Sequence, residues 1–504
     1  MEQNMKKQTL TSSSPVSRVN ARLNRFRNPC GEIKAVTFAV TFLAGLSAVF
    51  NPAFAQTQVI FHELYSFPAS GTNGANPETG LVQGADGNFY GTTLQAGADN
   101  YGSVFQVKTN GALTNLASFN GANGRAPYSY ANLLQGSDGN FYGTAAYGGQ
   151  NGNGVVFEMI PANPPAAIHS FSAATDGANP HSGLVYAGDA NLYGTTANGG
   201  AYFAQDPAGF GYGTVFKMMP SVSLTSFSFA GTNGANPWGG LALGRDGNLY
   251  GTTTSGGVGF NGSAYTGSGV IFKITTNGSL TTIYSFTNGL DGATPHAELS
   301  LGNDGNFYGT AVYGGNGYGT VFRITPTGGF TTLAAFSQTN GSYPCCRLAQ
   351  GTDGNFYGTT SGGGAYNDGT LFTMTPSGAL TTLLAFNGTN GESYPPTPIC
   401  SGVIQGSDGN FYGVTSAGGV GGNGTVFSFS PPPVFQTLIQ TNDAFRLNWS
   451  TVAGEIYQLQ YTTNLALPNW NNLGYPLVAT NGAITVSDTI GPDPQRFYQV
   501  LQSQ

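Results

Sequence analysis

A sevenfold internal repeat constrains this chain more than any other feature of its sequence. An element of the form Gly-x-Asp-Gly-Asn-(Phe/Leu)-Tyr-Gly recurs about every fifty residues, and only the third copy departs from it, with Ala187 and Ala190 at glycine positions. The seven aspartates of this element are Asp86, Asp138, Asp189, Asp246, Asp304, Asp353 and Asp408. A period of this length is typical of solenoids and propellers, in which each repeat is one supersecondary unit.

Two further elements recur seven times each. One has the form Gly-(Ser/Thr/Val)-(Val/Ile/Leu)-Phe and ends at Phe105, Phe157, Phe216, Phe272, Phe322, Phe372 and Phe427. The other resembles Leu-Thr-x-Leu-x-Ser-Phe and ends at Phe67, Phe119, Phe171, Phe229, Phe286, Phe336 and Phe386. Together the three elements predict four short antiparallel strands per unit, at residues 81–83, 88–93, 103–107 and 113–119 in the first. The Asp86-Gly87 pair predicts a two-residue type I′ hairpin between the first two strands.

The order of the elements predicts a closed ring. A lone fourth-type strand, residues 59–67, precedes the first unit, and the last unit stops after its third-type strand at residues 427–429. The N-terminal strand can therefore complete the seventh unit and remove a sheet edge. We predict an all-β chain, a seven-bladed β-propeller closed by its N-terminal strand. An open β-solenoid is the alternative.

These repeats resemble the tandem repeat called GloVer, the Gloeobacter/Verrucomicrobia type. The shared motifs are Asn-Gly-Ala-x-Pro, Gln-Gly-x-Asp-Gly-Asn-Phe-Tyr-Gly-Thr-Thr, Gly-Thr-Val-Phe-Lys-x-Thr-Pro and Leu-Thr-x-Leu-x-Ser-Phe, and they cover about residues 57–430. The resemblance implies an exported bacterial protein that attaches to the surface by a C-terminal device. It implies no defined biochemical activity.

The first 55 residues have the pattern of an export signal. A basic stretch precedes an apolar run over residues 35–50, and Ala53-Phe54-Ala55 provides a small-x-small cleavage pattern. The alternative is an uncleaved anchor. We expect a periplasmic, cell-surface or extracellular protein whose mature chain has no membrane-spanning segment.

The chain divides into four predicted regions: the signal at 1–55, the repeats at 56–430, a linker at 431–441 and a small domain at 442–504. Pro431-Pro432-Pro433 marks the linker. The alternating pattern beyond it resembles a small immunoglobulin-like or fibronectin type III β-sandwich, with Trp449 and Tyr457 as core residues. This domain is predicted to be a spacer or stabilising cap, with surface attachment or glycan binding as the alternative.

Composition excludes several functions. The sequence has 78 glycines and only 8 % charged residues, but 12 % aromatic residues argue against disorder. Acidic residues outnumber basic ones by 23 to 16, and cleavage before Gln56 would widen this excess, so nucleic acid is not an expected partner. Cleavage would leave Cys345, Cys346 and Cys400. The sequence allows either a Cys345–Cys400 disulfide or a vicinal Cys345–Cys346 disulfide.

The motif aspartates are predicted to be structural, because all seven occupy one equivalent turn and Asp side chains there accept backbone N–H bonds. Calcium ligation is the alternative for them. No His-x-x-x-His, Cys-x-x-Cys or Gly-x-Ser-x-Gly motif occurs. We therefore predict no catalytic residues, no bound metal and no cofactor apart from that calcium alternative.

One equivalent position breaks the regularity of the repeat. It lies six residues before the opening glycine of each Asp-Gly-Asn element (Ala187 in the third), and we call its residues the variable ring: Glu78, Tyr130, His181, Trp238, His296, Cys345 and Cys400. Two of the four histidines of the chain share this position. Such chemical variety at one structural position indicates selection for something other than folding.

The loops between second and third strands are longest in the third and fourth units, at residues 197–213 and 253–269. They contribute the candidate ligand-binding residues Tyr202, Phe203, Asp206, Phe210, Tyr212, Phe260 and Tyr265. In a four-stranded antiparallel blade these loops and the inter-blade loops emerge on one face. His181, Trp238 and His296 are therefore expected to converge there with the loop aromatics.

The leading hypothesis is a non-enzymatic binding or scaffold protein that recognises a glycan or a protein through the face of blades three and four. Tyrosine and tryptophan serve both kinds of partner. An alternative is a propeller lyase or hydrolase with a histidine base. A third is a purely structural envelope protein.

Overall fold

The computed structural model describes residues 34–41, 49–51, 59–69, 73–127, 132–161, 163–218, 223–391, 401–440, 444–465, 468–489 and 496–503. Regular structure in these ranges is almost entirely β, with one 3₁₀ turn at Phe203–Gln205. The prediction of an all-β chain is confirmed. Within the same ranges no helix has the length and apolar character needed to span a membrane.

Residues 60–430 form seven four-stranded antiparallel sheets, numbered here 1 to 7 in chain order. The first strands are Val82–Gln83, Leu134–Gln135, Val185–Tyr186, Ala242–Leu243, Ser300–Leu301, Ala349–Gln350 and Ile404–Gln405. The second strands are Phe89–Thr93, Phe141–Ala145, Leu192–Thr196, Leu249–Thr253, Phe307–Ala311, Phe356–Thr360 and Phe411–Thr415. The third strands are Ser103–Val107, Val155–Met159, Thr214–Met218, Val270–Ile274, Thr320–Ile324, Thr370–Met374 and Thr425–Ser430.

The fourth strands complete the sheets, and the seventh comes from the other end of the chain. In sheets 1 to 6 they are Leu113–Ser118, Ala166–Ser170, Leu224–Ser228, Leu280–Ser285, Phe330–Ala335 and Leu380–Ala385. In sheet 7 the fourth strand is Ile60–Ser66, which pairs antiparallel with Thr425–Ser430. The pairing predicted between the N-terminal strand and the last repeat is therefore present.

The turn between first and second strands differs from the sequence prediction. Gln83 pairs with Phe89, so the connection has five residues instead of two. The Gly87 N–H donates to the Gly84 carbonyl, and the Gly84 N–H donates to the Asn88 carbonyl. Gly87 has a φ of +80°. The predicted type I′ turn is wrong, because the loop uses one left-handed residue after a single i→i+3 turn and not two consecutive ones.

Aromatic rings pack across five of the seven junctions between neighbouring sheets, and Leu192 and Leu249 replace the phenylalanine at the other two. The tyrosine of one Phe-Tyr-Gly motif lies against the phenylalanine of the following sheet, in the pairs Tyr90–Phe141, Tyr250–Phe307, Tyr308–Phe356 and Tyr357–Phe411, with ring centroids 4.1–4.3 Å apart. Tyr412 of sheet 7 stacks in the same way on Phe89 of sheet 1, at 4.0 Å. The Ser407 N–H also donates to the Gln83 side chain across this junction. The last sheet therefore packs on the first.

The C-terminal region contributes strands to two further sheets, one of which also contains Lys34–Thr41 and Val49–Asn51. One contains Phe435–Gln440, Ala444–Ser450 and Ala483–Thr489. The other contains Ile456–Thr462, Asn471–Asn472, Leu477–Val478 and Phe497–Ser503. Trp449 and Tyr457 are fully buried in one shared hydrophobic cluster, as predicted for core residues.

Three strands fall in regions for which the sequence predicted other roles. The strand Phe435–Gln440 begins inside the segment predicted to be a linker. The strands Lys34–Thr41 and Val49–Asn51 lie in the segment predicted to be an export signal, and the former pairs with Phe497–Ser503.

Candidate functional site

The loops between second and third strands lie beside the loops that join consecutive sheets. Short backbone bridges connect the two kinds of loop, for example Ala178 with Asn198 and Ala235 with Ser255. The same pairing recurs as Arg125 with Tyr147, Ala293 with Tyr313 and Ser342 with Gly362. These loops therefore share one face of the ring, as the sequence predicted.

Asp206 joins the two long loops. Its carboxylate accepts backbone N–H bonds from Ala208, Phe210 and Gly211 of its own loop and from Ala264 of the sheet 4 loop, at 2.9–3.1 Å. Burial acts to raise the pKa of Asp206, but these four bonds hold it below its usual value. The carboxylate is thus engaged by backbone N–H groups of both loops and fixes them to each other.

Aromatic side chains pack at the same junction. Tyr212 is buried, its hydroxyl donates to the Gly262 carbonyl at 2.8 Å, and its ring meets Phe260 edge-on at 5.4 Å. Tyr202 packs half-buried against this cluster. Tyr202, Tyr212 and Phe260 therefore form the interior of the junction. Phe203 begins the 3₁₀ turn and is also half-buried.

Phe210 and Tyr265 remain at the surface of the junction. They form an edge-to-face pair with centroids 5.4 Å apart, and they are 46 % and 51 % exposed. The Tyr265 hydroxyl also reaches Asn198 at 3.4 Å. We call this pair, with the loops at residues 197–213 and 254–269, the long-loop platform.

Three residues of the variable ring stack in consecutive sheets. The His181 ring lies parallel to the Trp238 ring at 4.8 Å, and Trp238 meets His296 at 5.1 Å with a tilt of 55°. Burial lowers the pKa of each histidine to about 4, and the charge of His181 also lowers that of His296. Both imidazoles are therefore neutral at pH 7, and Trp238 is half-buried between them.

Of the other four residues of the variable ring, the structure describes Glu78 and Cys345. Glu78 is buried in sheet 1, and Tyr130 and Cys400 lie outside the described residues. Cys345 is disulfide-bonded, whereas Cys346 is a buried free thiol. The vicinal Cys345–Cys346 alternative is therefore wrong.

The motif aspartates have the structural role that the sequence predicted. In the first copy Asp86 accepts the Asn88 backbone N–H at 3.1 Å, the Asn88 side-chain amide at 2.7 Å and the Tyr90 hydroxyl at 2.8 Å. The other six accept the equivalent backbone N–H and hydroxyl bonds. No group of three or more His, Cys, Asp or Glu residues suited to a metal ion occurs among the described residues.

Sequence reasoning missed two arrangements. Tyr313 and Tyr343 form a second exposed edge-to-face pair, at 5.7 Å, on the loop face of sheets 5 and 6. Glu298 and Arg347 form an ion pair at 3.3 Å inside the ring of sheets. The sequence does indicate the ion pair. Glu298 and Arg347 both occupy the repeat position two residues after the variable ring, where four other units carry glycine.

Comparison with known families gives one match. The sequence matches the family described as Gloeobacter/Verrucomicrobia repeat over residues 45–206, 203–400 and 261–460. No curated protein matches the chain.

Comparison with solved structures gives distant likenesses. A puromycin hydrolase has a TM-score of 0.45 and 12 % identity over 76 % of this chain, which spans 60 % of that protein. A protein from Lactobacillus plantarum has a TM-score of 0.39 and 13 % identity, covering 77 % of this chain and 96 % of its own. An ulvan lyase has a TM-score of 0.30 and 9 % identity, covering 76 % and 83 %. Likenesses at this level carry no inference about activity.

Proposed function

We propose that this chain, which belongs to the Gloeobacter/Verrucomicrobia repeat family, is an exported binding protein that recognises a glycan through the long-loop platform. The export signal at 1–55 supports secretion to the periplasm, the cell surface or the medium. The repeats would hold the platform rigidly while the C-terminal region acts as a cap or an attachment device.

The proposed scaffold is a closed seven-bladed propeller at 56–430 followed by a small β-sandwich at 442–504. Seven four-stranded sheets and the stacking of Tyr412 on Phe89 support the closed ring. The cluster that contains Trp449 and Tyr457 draws on both C-terminal sheets, as a sandwich core would. A closed ring is rigid, so loops on its face keep their geometry.

The observation that carries the proposal is the exposure of Phe210 and Tyr265 on a buried frame. Large aromatic rings usually lose water contact on folding, but these two keep about half of their surface in solvent. Asp206 and Tyr212 fix the loops beneath them. A surface that is already ordered loses little entropy when a ligand binds.

The surroundings of the pair favour a sugar. The C–H face of a pyranose packs on the electron-rich face of an aromatic ring. Asn261 is exposed in the same loop as Tyr265, and its side-chain amide N–H groups can donate to sugar hydroxyls. Only 8 % of the sequence is charged, which suits a neutral ligand.

A glycan array tests the proposal. The mature wild type is compared with the Phe210→Ala/Tyr265→Ala double variant, and we expect the variant to lose at least about tenfold in affinity. Tyr475→Ala is the matched control, because Tyr475 is 90 % exposed but belongs to the C-terminal region. Tyr212 is not suitable for this test, since its removal would disturb the loop junction.

The outcomes separate the alternatives. Glycan binding that the double variant retains would reject the platform as the site. Binding to no glycan would reject the ligand class, and a protein captured by the wild type and not by the double variant would assign the platform to a protein partner. A wild-type protein that binds neither a glycan nor a protein would leave a structural envelope protein as the function.

A further inference from the structure

The inner strands of the ring enclose a cavity of about 470 Å³ that is separate from the long-loop platform. Its polar lining residues include Asn132 of sheet 2, Glu298 of sheet 5 and Arg347 of sheet 6. They occupy the same position of the repeat, where sheets 1, 3, 4 and 7 carry Gly80, Gly183, Gly240 and Gly402. In a ring of seven, sheet 2 lies opposite the junction of sheets 5 and 6. Asn132 therefore faces the Glu298–Arg347 pair across the cavity.

The glycines at this position leave space for the polar side chains of the neighbouring sheets. A Cβ atom on Gly80 would lie 2.8 Å from the Asn132 Oδ1, and one on Gly240 would lie 2.9 Å from the Glu298 Oε2. Contacts this short are not tolerated, so any other residue at Gly80 or Gly240 would move the polar side chain. The arrangement thus depends on small residues in the preceding sheets.

The hydrogen-bonding capacity of the three groups is largely unused within the described residues. The Glu298 carboxylate is only 17 % exposed, and its one ion-pair contact there is to Arg347 at 3.3 Å. Burial raises the pKa of Glu298, and the Arg347 charge only partly opposes this effect. The Asn132 Oδ1 is buried and accepts no hydrogen bond from the described part of the chain.

Arg347 supplies the complementary donors. A guanidinium has five N–H groups in a planar fork, and the contact with Glu298 engages one nitrogen. Its side chain is 53 % exposed toward the cavity region, which leaves donors for a second carboxylate. The cavity therefore offers two acceptors that suit an ammonium group and one fork that suits a carboxylate.

We propose that the central cavity binds a small zwitterion of the α-amino acid class. Its carboxylate bonds the Arg347 guanidinium, and its ammonium group lies between Glu298 and Asn132. Glu298 and Arg347 cancel in charge, so a ligand with both charges and no net charge leaves the site neutral. Leu301, Ala349 and Ile404 also line the cavity and are only half-buried, so they give its wall apolar surface for a side chain.

Isothermal titration of the full mature chain with each neutral standard amino acid tests the proposal. L-leucine is then compared with isocaproate, which lacks the ammonium group, and with isoamylamine, which lacks the carboxylate. We expect L-leucine to bind at least about tenfold more tightly than either analogue.

Three variants test which protein side chain binds the carboxylate of the ligand and which binds its ammonium group. Arg347→Gln should weaken L-leucine by at least about tenfold, and Glu298→Gln should weaken L-leucine while strengthening isocaproate. Because Arg347→Gln leaves the largely buried Glu298 carboxylate without its ion-pair partner, the Glu298→Gln/Arg347→Gln double variant is also needed, and it should stay folded and bind none of the three compounds. Arg446→Gln is the control, since Arg446 is an exposed arginine of the C-terminal region.

The proposal would be overturned if no neutral amino acid bound the wild type, or if the folded double variant bound L-leucine as tightly as wild type. Equal affinity for L-leucine and isocaproate would also overturn it, because the ammonium group would then contribute nothing. None of these results depends on the platform, so the two proposals fail separately.

Discussion

Carboxylates in this protein take their roles from the donors around them. Asp206 lies in a loop rich in aromatic residues, which is a typical setting for a ligand contact, but four backbone N–H groups occupy its oxygens. Glu298 lies in an ordinary inner strand segment and has only Arg347 as an ion-pair partner in the described chain. The donors around each carboxylate could not be predicted from the sequence, because the directions of backbone N–H groups in irregular loops cannot be derived from residue types.

Replacement of Asp206 should loosen the long-loop platform. We expect Asp206→Ala to lower the free energy of unfolding by about 2–4 kcal/mol, since it leaves buried N–H groups without an acceptor. Hydrogen exchange should become faster at Phe210, Gly211 and Ala264. Asp99→Ala is the control, because Asp99 is an exposed carboxylate in the corresponding loop of sheet 1. Unchanged exchange in the Asp206 variant would contradict this role.

The histidine stack predicts a pH dependence of stability. The pKa of His181 and that of His296 fall to about 4 in the folded protein, against 6.5 for an ordinary histidine. Between these values the unfolded chain binds more protons, so stability is complete above pH 6.5 and declines as the pH falls toward 4. The decline should approach about 1.4 kcal/mol per pH unit for each histidine.

Urea unfolding across this interval measures the slope. A His181→Gln/His296→Gln double variant should give a flatter curve than wild type, whatever its stability at neutral pH. Carboxylates also titrate near this interval, since the pKa of Asp353 and that of Glu298 are raised by burial, but both proteins carry the same carboxylates and the difference in slope reports the histidines. The same slope in both proteins would show that the stack does not exclude protons.

Among the elements, the turn of the Asp-Gly-Asn motif shows how local sequence and backbone geometry agree. The glycine that directly follows the aspartate takes a positive φ in successive copies, as at Gly87, Gly139 and Gly247. The third copy has Ala190 at this position, with a φ of +58°. The sequence predicted a turn here correctly. It gave the wrong turn type because an Asp-Gly pair fits both a two-residue hairpin and the longer loop, and pairing register decides between them.

Two opposite substitutions test the cost of this conformation. Ala190→Gly should raise the free energy of unfolding by about 1 kcal/mol, because a Cβ atom is unfavourable at positive φ. Gly139→Ala should lower it by about the same amount. A Cβ on Gly139 has no atom within 4 Å, so the effect would be conformational and not steric. Chemical denaturation of both variants should therefore give changes of opposite sign, and changes of the same sign would contradict this explanation.

For the whole molecule, the repeat makes the ring predictable and the functional surfaces much less so. Each unit makes the same local choices, so the strands, their antiparallel order and the partner of the N-terminal strand follow from the register alone. Deviations from the repeat indicated the His181–Trp238–His296 stack in advance. The cavity lined by Asn132, Glu298 and Arg347 was not predicted, because it depends on residues that are far apart in sequence and meet only across the ring. The strand Phe435–Gln440 escaped because it directly follows a proline linker signal.

The pairing of the N-terminal strand with the last repeat gives a prediction about the whole molecule. Ile60–Ser66 supplies the fourth strand of sheet 7, and Phe67 beyond it is fully buried. A chain that begins at residue 70 should therefore expose the edge of Thr425–Ser430 and leave a void where Phe67 packs on Phe105. We expect a melting temperature lowered by several degrees or more, together with association through the open edge, both compared with a chain that begins at Gln56.

Addition of the missing strand as a peptide provides the specific control. A synthetic peptide of residues 57–69 should restore the melting temperature and the monomeric state of the shortened chain, because it can pair with the open strand edge. A peptide of the same composition in scrambled order should do neither, since the alternation that buries Ile60 and Phe67 would be lost. Light scattering and thermal unfolding measure both effects. If the shortened chain stayed monomeric and had the same melting temperature as the chain that begins at Gln56, six sheets and an incomplete seventh would be sufficient for a stable ring.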